Sequence, residues 1–520
     1  MSTYLLALDA GTGSVRAVLF SVEGEQIGVA QREWQHREDP RWPGSMDFDW
    51  VHNWELTVSC IREVLQITGI DPCDIAGIST TCMREGILLY DECGQVIWAC
   101  ANVDARSVDE VGELIAMDPN LESKLYQESG QTFALGALPR LLWVKNKMPD
   151  VYRRAKRLGM FNDWLAYKLT GVLAVEPSNG STTGIMNLKE RSWDPEIARR
   201  CGLRDDLFGD VRECGQILGT VSADGARETG LAEGTPVVVG GGDCQLGMIG
   251  VNACKPDQAG VFGGSFWQYE FNTANGAVDP KCRVRVNCHA IPQIWQYEAL
   301  AFKPGLVMRW YRDGFCQAEK EEAEKRGVDV YNIMNERASR IPAGSYGMLC
   351  CFSDVMNYIH WTHASPTFTN FELDAKRFNK YTFYRAILEN TAFLVKGHID
   401  LVKDATGNEP NELVFAGGAS KSPLWAHILA DVCGKHVRVP EVKEATALGA
   451  AILAGYGVGI YPSIAEGAKR VVRWEQTFEP NADNHAVYQK LYETWKEVYQ
   501  AQLALSEAGK TKGLWRAPGL

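Results

Sequence analysis

Residues 6–20 read LALDAGTGSVRAVLF, an apolar run broken by Asp9, Gly11, Thr12, Gly13 and Ser14 and then resumed at once. Such a pattern predicts two strands joined by a tight turn. Glycine permits close backbone approach and left-handed φ angles, so this turn could gather N–H groups around a phosphate with two hydroxyls beside them. A plain hairpin explains the same residues. The segment is not a P-loop, because G-x-x-x-x-G-K-[ST] is absent, and not a dinucleotide fingerprint, because a strand rather than a helix follows.

Working outward, YLLALD, RAVLFS and QIGVAQRE predict a three-stranded meander over residues 4 to 35. From Trp50, the apolar residues Val51, Trp54, Val58, Ile61 and Leu65 recur at helical steps, so a helix should cover one sheet face. Short strands follow in DIAGISTT and GILLYDECGQVIWA, residues 107 to 170 read mainly as helix, and the strand TPVVVGGGD (235–243) ends on Asp243. The strand–turn–strand pattern then returns as GVFGGSFWQYEF at 260–271. Only Gly13-Ser14 and Gly264-Ser265 coincide between the two meanders, yet the shared pattern suggests an internal duplication with its boundary near 252–258. Near the end, Val487, Leu491, Trp495 and Val498 predict an amphipathic helix on the second lobe, followed by a loose tail, GKTKGLWRAPGL.

A chain of 520 residues is expected to form two domains. Hydrophobic residues at 46% and charged residues at 23% are values of a folded globular protein. No apolar run approaches a membrane span, and MSTYLLALD lacks a basic leader, so neither span nor signal peptide is expected. The fifteen cysteines contain no C-x-x-C pair and read as reduced, cytoplasmic thiols. A net charge of −12 without a basic block argues against nucleic acid and for a small-molecule partner.

Two further segments bear on chemistry. FAGGASKSPLWAHILADV (415–432) predicts a strand, a glycine turn and a helix, which suits either a nucleotide or an ordinary βα connection. EATALGAAILAG (444–455) is nearly all small residues and reads as a close-packing helix. Asp9 and Asp243 both end apolar strands, where a carboxylate can hold magnesium, accept a proton or simply cap a helix. His360 and His363 lie close in sequence, but two histidines without further ligands read as structural.

Taken in order, DAGTGSVR, DAR, DWLAYKLTG, GGGDCQ, GGASKSPLWAHILADV and EATALGAA resemble the FGGY family of carbohydrate kinases over residues 4 to 460. The resemblance implies an α/β fold of two actin-like, hexokinase-like (ribonuclease H-like) lobes with an ATP and substrate cleft between them. Residues 1–254 would form the first lobe, with substrate and catalytic residues, and 255–475 the second, with nucleotide. Residues 476–520 would be the terminal helix and tail. It makes Asp243 the base toward the substrate hydroxyl, with Asp9 and Arg16 completing the catalytic set and Asp9 and Asp243 holding Mg2+. Arg84, Glu85, Asp104 and Gln245 would bind substrate. Gly11, Thr12, Gly13 and Ser14 would lie at the transferred phosphate, Gly263, Gly264 and Ser265 would form a second phosphate turn, and Gly417, Gly418 and Ala419 the adenosine turn. GLVMRWYRDGF (305–315) also looks family-like.

The implied reaction is phosphorylation of a primary hydroxyl of a small polyol-like compound, foremost 4,5-dihydroxy-2,3-pentanedione to its 5-phosphate. A pentulose or glycerol kinase, and a non-catalytic ATP-gated actin-like binding protein, stay open beside it. A phosphocarrier protein of the sugar phosphotransferase system is an implied partner. Two departures from the family pattern stand out. Asn102 replaces a tryptophan that relatives often carry, which should make the pocket more polar, and Gly264 replaces a threonine, removing a hydroxyl.

Overall fold

The computed structural model describes residues 3–442 and 444–520. A first, six-stranded sheet begins with the meander β1 (Tyr4–Ala10), β2 (Ser14–Ser21) and β3 (Gln26–Glu33). Strand β4 (Ile75–Cys82) runs parallel to β1, β5 (Ile217–Thr220) forms the edge, and β6 (Pro236–Gly242) runs parallel to β4, giving the order β5-β6-β4-β1-β2-β3. The second sheet contains β7 (Ala259–Gly263), β8 (Trp267–Thr273), β9 (Arg285–Cys288), β10 (Trp295–Ala301), β11 (Glu412–Ala416), β12 (His436–Pro440) and β13 (Trp474–Phe478). Its order is β9-β10-β8-β7-β11-β12-β13. In both sheets the first strand of a meander pairs in parallel with a later strand, which pairs in parallel with the next. The duplication expected from two weakly matching turns is therefore present as topology.

Helix α1 (Trp50–Thr68) covers β2 and β3. It starts where the Asp49 side chain accepts from the His52 N–H and stops at Gly69, whose φ of 65° is left-handed. On the same side, α2 (Phe161–Thr170) packs on β4 and β6.

Two further helices link the halves of the chain. Helix α3 (Asp243–Gly250) follows β6, and its Met248 packs beside Val414 and Ala416 of the second sheet. In the second sheet, α4 (Pro304–Phe315), α5 (Lys380–Thr406) and α6 (Pro423–Cys433) lie around the strands. Helix α7 (Ala445–Gly457) follows β12 but lies on β1, β4 and β6, burying Ala447, Ala451 and Ala454 beside Leu5 and Ala7. Each sheet is thus covered in part by a helix from the other half. Where α3 and α7 cross, a Cβ on Gly449 would sit 1.9 Å from the Leu246 carbonyl oxygen, and one on Gly250 would sit 1.8 Å from that of Ala445. The small-residue run in 444–455 is what this approach requires.

The terminal helix α8 (Ala482–Glu507) buries Tyr488, Tyr492, Trp495 and Tyr499. Val487, expected inside, is 41% exposed. The seam is shifted because tyrosine buries its ring while its hydroxyl finds a partner: Tyr488 donates to Glu389 at 2.7 Å, and the Tyr499 hydroxyl accepts from the Ala364 N–H at 2.9 Å. The tail is not loose. Trp515–Arg516 pairs with Thr362–His363, and Trp515 packs against Phe302 and Trp361. Among the described residues no helix is long and apolar enough to cross a membrane.

Candidate functional site

The strand ends β1, β4 and β6 bring Asp9, Arg84 and Asp243 together. Asp243 is the first residue of α3, where unpaired N–H groups favour a carboxylate, and its own Oδ1 accepts from the Cys244 N–H at 2.8 Å. Arg84 donates from Nε to Asp243 Oδ1 at 3.2 Å and from Nη1 to Glu298 on β10. Burial pushes the Asp243 pKa up, with Arg84 opposing it. Burial alone would raise Glu298 too, but Arg84, Arg285 and Asn287 together outweigh it and hold that carboxyl below its usual range.

Asp9 is pushed up to about 7, first by burial, with Arg16 opposing and the charges of Asp243 and Glu444 adding to the rise. Arg16 reaches from β2 to Asp9 at 3.7 Å and to Glu444, just before α7, at 3.0 Å. Asp9 and Asp243 thus form an acidic pair only partly neutralised by protein cations.

The turn between β1 and β2 is held from behind. Trp34 donates from Nε1 to the Gly11 carbonyl and from its backbone to that of Gly13, and His36 Nε2–H donates to the Thr12 carbonyl at 2.7 Å. Neither Gly11 nor Gly13 has a left-handed φ, contrary to the expected nest. A Cβ at Gly13 would meet nothing within 4 Å. The glycines leave open space above the turn. Asn102, the departure at the expected aromatic wall, donates from Nδ2 to Thr12 Oγ1 at 3.1 Å and so joins this turn.

Glu85 sits beside Arg84 with φ 68°, a strained value for a non-glycine residue. Its carbonyl accepts from Arg140 Nη1 at 2.5 Å, and its Oε1 pairs with Arg285 on β9. Arg140 is fully buried and also donates to the carbonyls of Asn102 and Asp104. Asp104 does not join the cluster. Its carboxylate is buried and held by Arg106, which lies over the Trp143 ring, and by the Met46 N–H at 2.6 Å. Such complete pairing makes it a structural carboxylate of this loop. Gln245 is fully buried beside Gly242, and neither atom of its amide has a partner among the described residues. Its amide therefore keeps a donor and an acceptor for a polar group outside the chain or a water.

In the second half, the turns 263–265 and 417–419 abut. Gly417 has φ 89°, and a Cβ there would sit 2.8 Å from the Gly263 carbonyl oxygen; one on Gly263 would sit 2.6 Å from Ala419 Cβ. Gly263, Gly264, Ser265, Gly418 and Ala419 line a cavity of about 680 Å³ that also touches α4. Asp329, Tyr331 and Asn335 on its wall were not singled out from the sequence. Glu298, Arg285 and Arg140 were also missed. Their signal is a charged residue inside an otherwise apolar segment, as in RVNC and WQYEALA, because a buried charge requires a partner. His363 stacks on Phe302 at 4.6 Å, and burial lowers its pKa to about 3. Among the described residues there is no group of three or more histidine, cysteine or acidic side chains suited to a metal.

The model of the FGGY family of carbohydrate kinases, N-terminal domain, matches residues 4–250, and that of the C-terminal domain matches residues 277–458. The chain is 49% identical over 518 residues to an autoinducer-2 kinase of Salmonella typhimurium, covering 99% of this chain and 98% of the relative. An autoinducer-2 kinase of Escherichia coli is 50% identical over the same shares. Among solved structures, a xylulose kinase from Rhodospirillum rubrum superposes with a TM-score of 0.85 at 23% identity, covering 96% of this chain and 98% of that one. A Plasmodium falciparum glycerol kinase with ADP gives 0.83 at 18% identity over 96% and 98%. At those identities the structural likeness speaks for the fold, whereas the two family matches together span most of the chain. A two-domain α/β enzyme with paired carboxylates and glycine turns on its two sheets, the chain belongs to the FGGY family of carbohydrate kinases and is an ATP-dependent kinase.

Proposed function

We propose that this kinase transfers the γ-phosphoryl group of ATP to the primary hydroxyl of autoinducer-2 in its linear form, 4,5-dihydroxy-2,3-pentanedione, giving the 5-phosphate. The observation that carries the acceptor is the 49–50% identity to autoinducer-2 kinases across 99% of the chain. The site chemistry supports it. Asp243, raised by burial and oriented by Arg84, accepts the hydroxyl proton as the oxygen attacks. The amide of Gln245, without a protein partner, supplies a donor and an acceptor suited to a polyol-like chain. Thr12, Gly13 and Ser14 face the transferred group, and Arg16 offsets charge developing there.

The 680 Å³ cavity would take the adenosine of ATP, with Gly418 and Ala419 at its floor and Gly263, Gly264 and Ser265 toward the phosphates. Asp9 and Asp243 fit Mg2+, because the ion takes one or two carboxylates alongside substrate phosphates and would offset the burial and, after it, the carboxylate repulsion that raise Asp9. Bound there, Mg2+ would neutralise phosphate charge. We assign the protein to the cytoplasm, where ATP is available. The likeness to autoinducer-2 kinases also proposes a phosphocarrier protein of the sugar phosphotransferase system as a partner, which co-elution of the purified pair would test.

The test of the acceptor is ADP release with dihydroxypentanedione, xylulose, ribulose and glycerol, with the product position read by phosphorus NMR. Turnover of dihydroxypentanedione to the 5-phosphate at the highest kcat/KM of the panel is expected. Preference for a pentulose or glycerol would overturn the assignment.

A further inference from the structure

Arg84 and Glu85 are consecutive residues of the loop after β4, and each is met by the opposite charge from the second sheet. Arg84 pairs with Glu298 on β10, and Glu85 pairs with Arg285 on β9. Arg285 and Glu298 are themselves direct cross-strand neighbours in the β9–β10 ladder. These four charges, joined as two ion pairs, therefore form a quartet that ties a loop of the first sheet to two strands of the second.

The quartet is tightly held. Arg84, Arg285 and Glu298 are each at most 6% exposed. Glu298 also accepts from Asn287 Nδ2 at 3.0 Å, and Arg285 donates to the Ala134 carbonyl at 2.6 Å and lies over the Tyr358 ring at 4.5 Å. Buried ion pairs of this kind are poor sources of net stability, because desolvation offsets most of the attraction. What they do fix is orientation. With Nε on Asp243 and Nη1 on Glu298, Arg84 retains Nη2 without a protein partner among the described residues; with Oε1 on Arg285, Glu85 likewise retains Oε2. One donor is left on Arg84, next to the Asp243 carboxylate, and one acceptor on the adjacent residue Glu85.

We propose that Glu298 and Arg285 are positioning residues: by claiming one edge of Arg84 and one oxygen of Glu85, they aim the remaining Nη2 and Oε2 at adjacent oxygens of the phosphoryl acceptor. Arg285 and Glu298 thereby shape acceptor binding through Arg84 and Glu85. The inference rests on the assignment of Arg84 and Glu85 to the acceptor site, but not on which acceptor is bound.

The test is steady-state kinetics of Glu298→Gln and Arg285→Lys with whichever acceptor the wild-type enzyme prefers. Glu298→Gln should raise the acceptor KM about tenfold or more and leave the ATP KM within about twofold, since the nucleotide cavity is lined by other residues. Glu298→Asp, which keeps the charge, should recover part of the loss. In an Arg84→Lys background, Glu298→Gln should add less than threefold, because its action runs through Arg84. A folded Glu298→Gln enzyme with an unchanged acceptor KM, or full additivity with Arg84→Lys, would overturn the proposal. If Glu298→Gln does not fold, Arg285→Lys and Glu298→Asp decide by the same split of acceptor KM from ATP KM, and wild-type values in both overturn it. A wild-type enzyme that prefers a pentulose breaks the acceptor assignment alone, because the quartet is then tested with that pentulose.

Discussion

The two glycine turns each join the first two strands of a meander, one in the six-stranded and one in the seven-stranded sheet, yet their surroundings differ. In the first, between β1 and β2, the carbonyls are fixed by Trp34 and His36 while the space above Gly13 is empty. In the second, Gly263 lies against Ala419, and its backbone is met by Gly417 of the neighbouring turn, which needs a left-handed φ. Glycine is therefore present for two physical reasons: in one turn it leaves room for something outside the chain, in the other it lets two chain segments meet. The contrast extends to the helices that follow. Helix α3 opens on Asp243, which faces Arg84, whereas α7 is preceded by Glu444, which reaches back to Arg16.

The largest effect expected from this contrast is at the helix starts. Asp243→Asn should lower kcat by about 10²–10⁴-fold, the range of a lost general base, with thermal unfolding unchanged or slightly raised because a buried carboxylate is removed. Glu444→Gln, whose partner is a partly exposed arginine, should cost less than about tenfold. Comparable losses from both substitutions in initial-rate assays would erase the distinction between the two helix starts.

The turns themselves should separate next. Gly417→Ala forces a strained φ and a contact with the Gly263 carbonyl, costing about 1–3 kcal/mol, so the melting temperature should fall and the ATP KM rise. Gly13→Ala adds a methyl that no protein atom meets, so the melting temperature should hold within about 1 °C while kcat falls by roughly tenfold from crowding of the transferred group. Equal melting losses in the two variants, read by calorimetry, would show the first turn to be as tightly packed as the second.

How much of this was legible beforehand follows the range of the interactions. The meanders, the βα turn at 415–432 and the close-packing helix are local patterns, and the sequence shows them directly. Asp9, Arg84 and Asp243 could be singled out because strand ends and a family resemblance mark them. The Arg285–Glu298 pair could not, since its partners lie about 200 residues away and only the fold makes a buried charge affordable. Asp104 marks the opposite limit: a carboxylate in a motif-like segment looks the same in the sequence whether it faces substrate or is held, as here, by Arg106 and a backbone N–H. The terminal helix was legible, with Trp495 inside, but its seam is shifted onto Tyr488, Tyr492 and Tyr499, whose rings are buried while their hydroxyls are polar.

The smallest predicted effect concerns Asp9, and its sign is what matters. Its pKa in the fold is about 7, against about 3.8 for a free carboxyl, so between these values the folded chain holds a proton that the unfolded chain has released. Without nucleotide or magnesium, stability should therefore fall as pH rises from about 4 to about 7 and level off above that. Asp9→Asn removes this loss, so the apo variant should match the wild type near pH 4 and melt about 1–3 °C higher at pH 8. The same variant should be the less active enzyme at pH 8, because only the charged carboxylate favours Mg2+ beside the phosphates. No residue in the second turn should show this opposition, since Gly263, Gly264 and Ser265 carry no carboxylate. A wild-type enzyme whose apo melting temperature does not fall between pH 4 and 8 relative to Asp9→Asn would mean that Arg16 alone compensates the buried charge, and that the acidic pair is already balanced by the protein before any ligand arrives.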